Sequence, residues 1–186
     1  EELYCKFQNH EVDDGQLMDA LKEQLKAKKV LILAPGASIL THKEEIETFI
    51  RKENAVVIAA NFVPADYHAD YIFCSNAMRY DALKDKKQNS RVLITSNQMD
   101  VCEEPDVLNY SELSFDEKGV CDNCVIMLMK LLVRLNVERI YVAGFDGYQK
   151  DGANYVKSYM ASQHTKGMEV NARNRMYLEN IRKQIE

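Results

Sequence analysis

The sequence predicts an α/β protein in three layers, a mostly parallel central sheet with helices on both faces. Two observations carry that expectation. Short apolar runs alternate with helical stretches along the chain, and such alternation needs crossover connections, hence parallel strands. The runs also lack a polar face, as strands covered on both sides do.

Taken in order, residues 1 to about 13 are polar and weakly patterned, a linker or a packed-back arm. Asp13 or Asp14 is placed to cap a helix whose Leu17, Met18, Leu21 and Leu25 share one amphipathic face. Val30 to Ala34 is the first strand. Thr41 is placed to cap the next helix, with Glu44 as its capping-box partner and Ile46, Phe49 and Ile50 as its apolar stripe. Strands follow at 55–60 and 71–74, a helix near 77–86 and a strand at 91–95. A weak strand is expected around Val107 and Leu108, within the irregular stretch 96–119. Residues 122–136 are nearly all apolar apart from Lys130 and Arg134, so this helix is expected to be buried on most of its circumference. The last strand is 140–144. A loop then leads to a terminal helix carrying Val170, Asn174, Leu178, Ile181 and Ile185 along one side. The pattern divides the chain into a linker and leading helix, 1–28, and a Rossmann-like domain, 29–186.

At 186 residues the chain is large enough to bury a core of its own. A net charge of −5 argues against non-specific binding to nucleic acid or anionic membrane, since both need basic surface. No run of about eighteen apolar residues offers a membrane span, and no signal-peptide pattern opens the chain. Five cysteines, an odd number with Cys74 inside an apolar run, read as reduced thiols of a cytoplasmic protein. The chain opens at Glu1 without methionine, as a trimmed chain or a domain of a longer protein would.

Sheets of this kind bind ligands beyond the carboxyl ends of their strands, and polar residues gather there. Pro35-Gly36-Ala37-Ser38 follows the first strand, Asn61 the second, Ser75-Asn76 the third, and Ser96-Asn97-Gln98 the fourth. Gly144-Phe145-Asp146-Gly147-Tyr148 follows the last. Gly36, Ala37 and Ser38 form a small-residue turn into a helix, where outward N–H groups, the helix dipole and the bare Gly36 favour an anion. The expectation is a cleft shared by Ser38, Asn61, Asn76 and Tyr148 that takes a nucleotide-type ligand, the asparagines offering donor and acceptor together. The turn has one glycine where a dinucleotide fingerprint needs three, and it lacks the P-loop lysine. Asn and Ser also favour turns because they bond their own backbone.

Cys121-Asp-Asn-Cys124 has no second pair at zinc-site spacing, so it reads as structural and no metal site is expected. His10, His42 and His68 lie in polar surroundings and read as surface residues. His164, in the loop before the last helix, is a candidate general base.

Residues 29–80 and 120–155 resemble the bacterial sialyltransferases that use CMP-sialic acid. The resemblance rests on the buried helix, then Arg139-Ile-Tyr-Val-Ala-Gly-Phe-Asp-Gly-Tyr-Gln149 and Asp151-Gly-Ala-Asn-Tyr155. It implies that Asn61 and Asn76 contact the donor, that Tyr148 and Tyr155 bind phosphate oxygens of the leaving group, and that His164 is the base. With Gly36, Ala37, Ser38 and Asp146, the asparagines make up the nucleotide-binding set. The chain departs from that family at Pro35, where it has asparagine, at Cys124, where it has serine, and in a shorter loop before His164.

A second likeness covers Lys29 to Ser38, Asn61-Phe-Val-Pro64 and the Asp13-Asp14 lead-in. These resemble the C-terminal region of bacterial aldolases whose N-terminal half is a metal-dependent TIM barrel, similar to hydroxymethylglutaryl-CoA lyase and 4-hydroxy-2-oxovalerate aldolase. It implies a domain with no cofactor of its own that binds a nucleotide or nucleotide-sugar and aids a lyase barrel of the same protein. Two other functions stay open: a sialyltransferase-like glycosyltransferase acting on a CMP-sugar, and a non-catalytic scaffold or homo-oligomerisation domain.

Overall fold

The alternation of strands and helices is present in the computed structural model, which describes residues 11–87, 89–114, 123–148, 155–156 and 167–185. Helix α1 (Gly15–Leu25) leads into β1 (Lys29–Leu33), and α2 (Ser38–Thr41) with α3 (Lys43–Glu53) connects β1 to β2 (Val56–Ala60). A loop leads to β3 (Tyr71–Cys74), then α4 (Ala77–Leu83), β4 (Arg91–Thr95) and a 3-10 turn, Ser96–Gln98. The weak strand is β5 (Asp106–Leu108). After it come α5 (Tyr110–Leu113), α6 (Cys124–Arg134), β6 (Arg139–Ala143) and α7 (Gly167–Ile185).

The strands lie in the order β5-β4-β3-β2-β1-β6, and every neighbouring pair is parallel. Side chains alternate between the faces with the period of two that a strand imposes. Val30, Ile32 and Ala34 face one apolar core, with Leu21 and Leu25 of α1, the buried side of α6, and Tyr177 and Ile181 of α7. Leu31 and Leu33 face the other, with Ile39 of α2, Ile46 of α3, and Tyr80 and Leu83 of α4. Each such Leu or Ile taken out of water contributes roughly 1.5–3 kcal/mol. Cys124 to Met129, Leu131 and Leu132 are all buried, so α6 is enclosed on most sides as its composition requires.

Two helix starts differ from expectation. Thr41 does not cap α3. It is itself helical, and its Oγ1 donates back to the Ser38 carbonyl at 3.0 Å, so the hydroxyl is spent inside α2. His42 holds the N-cap position instead, with no side-chain cap bond, and α2 and α3 meet at that residue. At α1, Asp14 stands at the N-cap but sends its carboxylate to the Asn109 N–H at 2.8 Å, tying the helix to the β5 end, while Asp13 accepts from the Gly15 N–H.

The order of strands positions the site. The chain leaves β1 towards the α2–α3 layer, and α7 follows β6 in the opposite layer. The connections that leave the neighbouring strands β1 and β6 therefore pass into opposite layers, and a crevice opens beyond the carboxyl ends of the pair.

Candidate functional site

The crevice is built from the first turn and the β6 exit. The ladder between β1 and β6 continues past both strands, with the Ala34 N–H donating to the Ala143 carbonyl at 2.8 Å and the Gly36 N–H to the Gly144 carbonyl at 2.9 Å. Gly36 is required for closeness. A Cβ there would strike the Gly144 carbonyl and come within 2.7 Å of the Asp146 carboxyl carbon. Gly144 is required for conformation as well, since its φ is +76° and an added Cβ would come within 2.6 Å of Ile39.

Beyond the glycines, Asp146 fills the corner. Its Oδ2 accepts from the Ser38 N–H at 2.8 Å and its Oδ1 from the Ser38 hydroxyl. The small-residue turn does admit an anion closely, and the chain supplies that anion itself. This is why Ser38 and Asp146, expected side by side as ligands of a nucleotide, meet each other here.

A cavity of about 610 Å³ opens over this corner. Its polar part comprises Ser38, His42, Glu45 and Asp146, and its remaining walls include Met129 of α6, Val142 of β6, Phe145 and Leu178 of α7. Both helical layers contribute, so the cavity wraps the carboxyl end of β6. Within it, His42 Nδ1 lies 3.1 Å from Glu45 Oε2. In the tautomer that donates from Nδ1 to this carboxylate, Nε2 keeps its lone pair. That is a base held by an orienting carboxylate. Sequence reasoning placed His42 on the surface, and its side chain is indeed exposed; what the sequence did not show is its place at the rim of this cavity. Its i, i+3 spacing to Glu45 was the available signal, but nothing in the sequence shows that the helix start faces β6.

Of the other expected site residues, Asn61 and Asn76 do not line this cavity, whereas Tyr155 lies beside the first turn and meets Tyr148. Asn61 sits just past β2 in the left-handed region, φ 61°, and its Oδ1 accepts from the Ser75 N–H at 3.0 Å. Its side chain thus pins the β2 and β3 exits together. Asn76 caps α4, accepting from the Arg79 N–H at 3.2 Å. Neither lines the cavity over Ser38. Tyr148 and Tyr155 are brought together, hydroxyl to hydroxyl at 3.1 Å, with the Arg79 guanidinium 5.9 Å from the Tyr155 ring centre. Asn171 of α7 clamps the Tyr148 backbone by its N–H at 2.9 Å and its carbonyl at 2.8 Å. Val156 N–H donates to the Pro35 carbonyl, so residues 155–156 lie against the same turn. His164 and Cys121 lie outside the described residues.

Three thiols are buried near the sheet, and burial raises each pKa. Cys102 is pushed up to about 11 and Cys124 to about 12. Cys74 rises further, chiefly by loss of solvent. Among the described residues no group of three or more His, Cys, Asp and Glu side chains could hold a metal ion, so His42, Glu45 and Asp146 do not form such a set. Nor, among those residues, is any helix long and apolar enough to cross a membrane.

A family model described as D-lyxose isomerase matches residues 2–97, just over half of the chain, and the chain belongs to that family. No curated protein and no solved structure matches it. The family match overturns the likeness to aldolase C-terminal regions and to sialyltransferases, and with it the lyase and glycosyltransferase readings. The signal behind them was an apolar strand entering Pro-Gly-Ala-Ser. A parallel sheet puts such a turn at its first crossover whatever the chemistry. Ser38, His42 and Glu45 fall within the matched residues, whereas Asp146 and the Met129, Val142 and Leu178 walls fall beyond them.

Proposed function

Taking that membership as premise, we propose that this chain interconverts an aldose and its 2-ketose by proton transfer, with D-lyxose or a related pentose unit at the reacting end. One observation supports the reading above others: His42, Glu45 and Asp146 line a single cavity beyond the carboxyl ends of β1 and β6. Aldose–ketose isomerisation needs a base near C2 and groups that exchange protons with O1 and O2. His42 Nε2 takes the proton from C2 of the open-chain sugar, with Glu45 steadying the ring through Nδ1. The C–H electron pair forms the C1–C2 double bond of an enediol as O1 gains a proton from water. Water then takes the O2 proton, C2 becomes the carbonyl, and C1 receives a proton from the His42 imidazolium. No oxidant is consumed. Asp146, fixed by two donors from Ser38, keeps further lone pairs for the sugar hydroxyls.

The test is incubation of the chain with D-lyxose in D2O, followed by proton NMR. Loss of the C2 proton signal and growth of a 2-ketose labelled at C1 are expected. Absence of both ketose and C2 exchange would sink the reading.

A further inference from the structure

We propose that the substrate is longer than a free pentose: an aldose whose end remote from C1 carries an apolar substituent. This rests on the isomerase reading for the reacting end and takes the rest from the shape of the cavity. Its volume of about 610 Å³ lies in the range of sites that take drug-sized ligands, here as a cleft open to solvent, whereas a pentose has only about ten non-hydrogen atoms. The chemistry of the walls is divided. Ser38, His42, Glu45 and Asp146 gather where α2 meets the β6 exit, while Met129, Val142, Phe145 and Leu178 supply apolar surface from the opposite layer.

The apolar part is partly uncovered. Val142, on the edge strand β6, is 37% exposed, and Leu178 and Phe145 are only partly buried. A sugar alone matches the polar end and leaves these side chains in water. A substituent of several carbons on O5 removes them from water while leaving C1, C2 and their hydroxyls for His42 and Asp146. The polar groups gathered at one end, with Ile46 among them, and the Met129, Val142, Phe145 and Leu178 walls at the other set the direction in which such a molecule lies.

Calorimetric titration of the whole chain with D-lyxose and its 5-O-methyl, 5-O-butyl and 5-O-hexyl ethers tests this. Affinity is expected to rise by about fourfold per added methylene, following about 0.8 kcal/mol for each one buried, until the apolar wall is covered. Val142→Asp and, independently, Met129→Gln are expected to flatten that rise. Equal or falling affinity along the series, with D-lyxose still bound, would overturn the elongated substrate and leave the isomerase reading standing. A rising series without any C2 exchange would do the reverse. Failure of every member to bind would remove both.

Discussion

His42 shows how much can turn on one side chain. It starts α3 without capping it, stands largely in solvent, and meets Glu45 one turn on. An exposed pair of this kind contributes little to folding. His42→Gln is therefore expected to leave the free energy of urea unfolding within about 0.5 kcal/mol of the parent. Its isomerisation rate is expected to fall by roughly 10²–10⁴, the usual worth of a positioned base. An unchanged rate in the D2O assay would remove His42 from the chemistry. The glycines of the corner behave in the opposite way. Gly36→Ala drives a methyl group against the Gly144 carbonyl and the Asp146 carboxyl. A loss of about 1–3 kcal/mol is expected in urea unfolding, as for other overpacked sites. Gly144→Ala adds a positive φ to a similar clash and is expected to lose more.

Elements were more legible than residues. Leu21 and Leu25, Ile46, and the long apolar face of Cys124 to Leu132 are buried as their spacing requires, because periodicity reports burial directly. The start of α6 follows the same logic, with Asn123 Oδ1 accepting from the Val125 N–H at 2.9 Å. Asn123→Ala is expected to cost about 0.5–2 kcal/mol, measured by urea unfolding. The polar strand ends were legible only as a group. Asn61 and Asn76 satisfy backbone donors in their own surroundings, and the same residue types would have suited a ligand equally well. What the pattern could not convey was distance across the sheet. Ser38 and Asp146 stand 108 positions apart, and only the adjacency of β1 and β6 makes them partners. Thr41 misled for the converse reason, since a capping-box spacing is satisfied on paper even when the threonine is already inside a preceding helical turn.

At the scale of the whole molecule, the buried thiols make stability depend on alkaline pH. Cys74, Cys102 and Cys124 all lie in the two cores, and burial favours their neutral form. An exposed cysteine loses its proton near pH 9, the ordinary value, so above that point the unfolded chain holds fewer protons than the folded one. Folding stability must then fall as pH rises, beginning near pH 9 and continuing towards 11 for Cys102 and 12 for Cys124. Below pH 9 the thiols are neutral in both states and add no slope. Each thiol contributes at most about 1.4 kcal/mol per pH unit within its window. Lysines and tyrosines also titrate there, so the informative quantity is a difference between variants. Cys102→Ala removes one thiol, and its urea midpoint is expected to decline less steeply than the parent's between pH 9 and 10.5, whatever its offset at pH 8. Parallel slopes would mean that Cys102 ionises as readily in the folded chain as in the unfolded one, and its burial against Gln98 would then have to open to solvent under native conditions.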